Sequence, residues 1–107
     1  MVKLGIIIYS NDRETVWNAF RLGVYTANKS NSAKIFLLAK GVECESLDTE
    51  KFKIKSEMQT FVLAGGEIFA CGTCLKLRQS EGSEICPLST MDDLYSLIDE
   101  SDKVVSF

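Results

Sequence analysis

Apolar residues fall in short continuous runs separated by stretches of helical spacing, and that alternation is the first thing the chain reveals. Leu4-Gly5-Ile6-Ile7-Ile8-Tyr9 is unbroken and rich in β-branched residues. Such a run marks a strand buried on both faces, as in parallel sheets. Ser10-Asn11-Asp12 follows with good capping chemistry. Helical spacing then takes over from Arg13 to Lys29, with Val16, Phe20, Val24 and Ala27 on one face. Gly23 lies beside that stripe and weakens the helix, but permits close packing on a sheet.

The cycle repeats. Ala33 to Ala39 reads as a second buried strand, and Lys40 to Glu45 as a loop beyond its C-terminal end. Phe52 and Ile54 alternate with Lys51, Lys53 and Lys55, predicting a short extended piece whose lysines form a solvated edge. Ser56 then caps a short helix with Met58, Phe61 and Val62 inward, stopped by Gly65-Gly66. Glu67 to Ala70 is the third strand, and a third helix opens directly after it. Glu84 to Leu88 predicts a fourth strand, closed by the only proline. Thr90, with Asp93 completing a capping box, starts a helix with Leu94, Leu97 and Ile98 inward. Lys103 to Phe107 is the last strand. The order implies one α/β domain over 1–107, a mainly parallel five-stranded sheet with helices on both faces.

At 107 residues the chain supports one modest core. Its net charge of −3 argues against a general nucleic-acid footprint. No apolar run is long enough to cross a membrane and no signal peptide is evident, so a cytoplasmic location is expected. There is no histidine, which removes Cys-His catalysis and every His-based metal site. Four cysteines in that setting point to reduced, catalytic or metal-bound thiols rather than a disulfide framework.

The chemistry concentrates at Cys71-Gly72-Thr73-Cys74, where the third strand gives way to helix. A helix N-terminus there favours thiolate, the reactive form, and Arg78 one turn on adds a positive charge. In a parallel α/β sheet, ligands bind beyond the carboxyl ends of the strands. Ser10, Asn11, Asp12, Gly41, Cys71 to Cys74 and Ser89-Thr90 all fall on that edge. The two thiols suit persulfide carriage, dithiol–disulfide exchange, or zinc binding with Cys44 and Cys86; they could also be two small buried side chains. Cys86, between Ile85 and Pro87, reads as a core residue. Cys44, flanked by Glu43 and Glu45, reads as an incidental loop cysteine with a raised thiol pKa. Asn11 and Asp12 either cap the first helix or line the pocket opposite the thiols. Trp17, Tyr25 and Phe69 read as core or subunit-interface residues.

Ser10 to Thr15, Ala19 to Leu22, Ile35 to Leu37 with Gly41-Val42, and above all Gly65 to Arg78 resemble the DsrE/TusD family of sulfur-relay proteins. The resemblance covers most of the chain and is nearest to a branch with two cysteines in the motif. It implies a three-layer α/β/α sandwich with a mainly parallel five-stranded sheet, and assembly into trimers, hexamers or hetero-oligomers. It implies a carrier that takes sulfur as a persulfide from a donor protein and hands it to an acceptor, a possible sulfurtransferase. It assigns the acceptor role to Cys71; Cys74 is then read as an auxiliary thiol, and Ser10, Asn11, Asp12, Gly41, Gly72, Thr73 and Arg78, by their place on the sheet edge and in the motif, as supporting residues. Neither a cofactor nor a metal is implied. A non-catalytic oligomeric binding or regulatory module and a dithiol oxidoreductase are the alternatives.

Overall fold

Alternate residues of each central strand go to two different cores. In the computed structural model, which describes residues 2–107, Ile6 and Ile8 of β1 (Lys3–Ile8) join one buried cluster while Ile7 packs on the other. In β2 (Ser32–Leu37), Ile35 and Leu37 face the first cluster and Phe36 the second. In β3 (Glu67–Cys71), Ile68 and Ala70 oppose Phe69 and Cys71. Side chains of a strand alternate between faces, so an unbroken apolar run requires cover on both.

The first face is covered by α1 (Arg13–Asn28) and α2 (Ile54–Leu63), through Val16, Ala19, Phe20, Met58 and Phe61. The second is covered by α4 (Met91–Glu100), through Leu94 and Leu97. α3 (Gly72–Leu77) follows β3, and β4 (Leu88–Ser89) and β5 (Lys103–Ser106) complete the sheet. The order is β4-β3-β2-β1-β5, and every pairing is parallel. The expected sandwich is therefore present, with all its strands parallel.

Several boundaries differ from expectation for local reasons. β2 ends at Leu37 because Ala39 turns into the left-handed region, with φ of 50°. The expected loop at Lys40 to Glu45 is wound into a 3-10 helix, Ala39–Leu47. Gly41, Cys44 and Leu47 are its buried residues, and their spacing of three is the 3-10 period. Cys44 is thus a core residue, 1% exposed, with its Sγ 3.9 Å from Met58 Sδ. It is not an incidental loop thiol.

Ser56 does not cap α2. The helix starts at Ile54, and Asp48 Oδ1 accepts the Lys55 N–H at 2.8 Å. Lys51 and Phe52 are bends rather than a strand and Lys53 is the residue before α2, although Lys51, Lys53 and Lys55 are all exposed as expected. Strand β4 is shorter and later than expected. Residues 83–86 close on themselves, with the Ser83 N–H bonded to Cys86 O and Ser83 Oγ accepting the Cys86 N–H. Pro87 has no N–H to give a ladder, so pairing begins at Leu88. Cys86 is buried, as expected. Val62 and Ile98, expected inward, are 40% and 46% exposed.

Other expectations hold. Asp12 caps α1, Thr90 and Asp93 form the capping box of α4, and Gly23 lies against the Phe61 ring, leaving a Cβ only 3.0 Å from it. Trp17 and Phe69 are partly buried against the two cores, whereas Tyr25 is exposed.

Candidate functional site

β3 runs directly into α3, so Cys71 is both the last strand residue and the cap of the helix. Its Sγ accepts the Cys74 N–H at 3.4 Å. Cys71 is 6% exposed and belongs to the core on the α4 side. Cys74, a turn further on, is half-buried, and its own Sγ accepts the Ala39 N–H at 3.3 Å. The motif therefore yields an inner and an outer thiol joined through backbone.

Burial pushes the Cys74 thiol above its ordinary pKa, and its contact with Cys71 adds to that. The Ala39 N–H and the Arg78 charge act the other way, as smaller influences. Arg78 is not free to face the sulfurs. Its Nε donates to Glu43 Oε2 at 2.7 Å and its Nη1 to Cys74 O at 3.0 Å. Asn11 Nδ2 reaches the other Glu43 oxygen at 3.4 Å. Glu43 thus ties the loop before α1 to the end of α3 beside the motif, and no feature of its sequence setting singles it out.

The remaining supporting residues sort by position. Asp12 Oδ2 accepts both the Thr15 N–H and the Thr15 hydroxyl, and Ser10 Oγ accepts the Asp12 N–H, so both serve the start of α1. Gly41 lies against the end of β1, where a Cβ would meet Ile8 O at 2.0 Å. Gly72 lies against the end of β4, where a Cβ would be 3.1 Å from Ser89 O. Thr73 is exposed. Gly41 and the capping loop of α1 thus share one sheet edge with the thiols, as the topology implies.

The four cysteines form two pairs rather than one cluster. Cys86 lies beside Cys44, and its thiol is pushed far up first by that contact, then by burial, with Glu45 contributing. Among the described residues, no group of three or more His, Cys, Asp or Glu is placed to hold a metal ion. A four-cysteine zinc site is therefore not assembled. Beside the motif is a cavity of about 300 Å³ lined by Glu43, Glu45, Leu75, Arg78, Glu81 and Ser83 among others. Neither Cys71 nor Cys74 lines it.

An all-parallel five-stranded sheet with a thiol pair at the end of its third strand defines a class of small α/β domain. The chain belongs to the DsrE/DsrF-like family, whose profile matches residues 3–107. That family is generally tied to sulfur relay. The chain is 28% identical over 101 residues to the uncharacterized protein MJ0989 of Methanocaldococcus jannaschii, covering 89% of each. It is likewise 28% identical over 101 residues to the uncharacterized protein MK0008 of Methanopyrus kandleri, covering 89% of this chain and 84% of that one. The crystal structure of the ychN protein from E. coli superposes with a TM-score of 0.85 at 19% identity, over the whole of both chains. A conserved protein of unknown function from Bacteroides thetaiotaomicron, BT1422, gives 0.78 at 18% identity, over 98% of this chain and 94% of that one. These two likenesses concern the fold. Among the described residues, no helix is long and apolar enough to cross a membrane.

Proposed function

We propose that this chain is a cytoplasmic sulfur carrier that holds sulfur as a cysteine persulfide on the Cys71–Cys74 pair and relays it between a donor and an acceptor protein. The observation that carries the reading is the pairing itself. Two thiols meet at a strand end, one sheltered and one reachable, with a backbone N–H aimed at each sulfur. A thiolate attacking a persulfide makes one S–S bond as it breaks another, so carriage needs neither metal nor cofactor.

Incubation with glutathione persulfide followed by mass spectrometry tests this. A gain of about 32 Da, one sulfur atom, on the motif is expected. Loss of two hydrogens instead identifies a dithiol oxidoreductase, and no change identifies a non-catalytic module.

Homo-oligomeric assembly, as a trimer or hexamer, belongs to the same proposal. Met91, Tyr95 and Ile98 recur at helical spacing on α4 and are exposed, as are Leu88, Val104 and Val105. That much apolar surface on one small domain suits a second copy.

A further inference from the structure

Cys71 and Cys74 differ in access, and the backbone opposite them is arranged around the outer one. Ala39 gives its N–H to Cys74 Sγ from a φ of 50°. That region is unfavourable for a residue with a Cβ and persists only where the surroundings impose it. Here they do. The Leu38 N–H is bonded to Ile8 O and the Gly41 N–H to Leu38 O, each at 2.9 Å. Gly41 itself is pressed against the Ile8 carbonyl. The chain must turn within two residues, and Ala39 turns with its N–H toward the sulfur. The end of β1 thereby sets a donor on a thiol of α3.

Resting on the carrier reading, we propose that Cys74 is the port of the pair, the thiol that meets an incoming persulfide, and that Cys71 is the inner seat to which the sulfur then passes. Ala39 is the positioning residue for the port. In the first step the Cys74 thiolate attacks the outer sulfur of a donor persulfide, R–S–SH. A Cys74 Sγ–S bond forms, the donor S–S bond breaks, and the donor leaves as thiolate R–S⁻. In the second step the Cys71 thiolate attacks that same outer sulfur. A Cys71 Sγ–S bond forms, the Cys74 Sγ–S bond breaks, and Cys74 departs as thiolate. Neither step has a net oxidation. The Ala39 N–H favours charge on Cys74 Sγ at the start of the first step and the end of the second. Burial of Cys71 keeps the stored sulfur from solvent thiols. Delivery retraces the two steps. The order departs from the assignment of Cys71 as first acceptor that the family resemblance implies, while keeping Cys71 as the residue that stores the sulfur.

Three measurements on the intact chain test the order. Iodoacetamide labelling of the native protein with peptide mapping needs no sulfur donor; Cys74 is expected to label at least about tenfold faster than Cys71. Equal rates, or faster labelling of Cys71, overturn the proposal. With glutathione persulfide, Cys71→Ser is expected to gain its sulfur on Cys74, while Cys74→Ser loads at least about tenfold more slowly than the wild type. Loading of Cys74→Ser at the wild-type rate overturns the port role. If the wild type gains no sulfur, the carrier reading fails, and the labelling order still decides which thiol meets an electrophile. For Ala39, NMR follows its amide proton against pH. The shift is expected to titrate with Cys74, to persist in Cys71→Ser and to vanish in Cys74→Ser; an amide indifferent to Cys74 ionisation removes Ala39 from the site.

Discussion

The Glu43 carboxyl is held below its ordinary pKa first by its hydrogen bond from Arg78, then by Asn11. The Asp12 carboxyl is lowered by the Thr15 N–H it caps. A carboxylate depressed on folding contributes stability that is complete above the unfolded value, about 4, and is lost as pH falls through the depressed one. Melting temperatures measured between pH 2.5 and 6 (a range of about 3.5 pH units that brackets that value) should therefore decline on the acid side. Glu43→Gln should show a shallower decline than the wild type, and an unchanged slope would mean the Arg78 contact is not maintained in solution. The outer thiol has the opposite sign. Cys74 is raised, chiefly by burial, so its neutral form is favoured below the ordinary thiol pKa of about 8.5 and for some distance above it. Its alkylation rate should still be climbing at pH 9 (about half a unit past that ordinary value). A plateau at neutral pH would show an activating influence stronger than that of Arg78, which is tied to Glu43 and Cys74 O.

The 3-10 helix is the element on which the site depends most. Ala39, Gly41 and Glu43 all belong to it, and they respectively address Cys74, the end of β1 and Arg78. Gly41→Ala would place its Cβ 2.0 Å from the Ile8 carbonyl oxygen, and backbone cannot yield as a flexible side chain can. Destabilisation of at least ~2 kcal/mol in urea unfolding is expected, with altered labelling of Cys74. A variant as stable as the wild type would show that the segment can slide. α4 offers a milder test. Thr90 and Asp93 satisfy each other's backbone N–H groups in a reciprocal cap. Thr90→Ala should remove ~1 kcal/mol of stability while leaving the thiols unaffected, since the cap lies outside their contacts.

The whole molecule is asymmetric about its sheet. α1 and α2 bury Phe20, Met58 and Phe61 completely on one face, whereas α4 serves the other through Leu94 and Leu97, with Val42 and Cys74 packed beside them. Phe61→Ala should therefore destabilise by roughly 3–5 kcal/mol. The outer stripe of α4 should behave differently. Met91 and Tyr95 are 64% and 67% exposed, so Tyr95→Glu should cost little in the monomer. If that stripe lies between copies, light scattering at micromolar concentration should find an oligomer in the wild type and a smaller species in Tyr95→Glu. A clean wild-type monomer would remove the assembly from the proposal.

The alternation of apolar runs and helical stripes determined the parallel α/β sandwich, because an unbroken apolar strand is stable only with cover on both faces. Local chemistry likewise determined the caps at Asp12 and Thr90 and the position of Cys71 and Cys74 where strand becomes helix, since each needs only neighbours within a few residues. Tertiary structure decided what distance in sequence conceals. Asp48 serves the start of α2 in place of Ser56, a contact across a bend. Cys44 is drawn into the core by a spacing of three that polar flanks disguise, and Glu43 finds Arg78 35 residues away. The most consequential decision concerns the two thiols. The motif presents them as equals three residues apart, and their difference in access arises only when Cys71 is covered from the α4 side of the sheet while the Ile8 carbonyl forces Ala39 to turn its N–H onto Cys74.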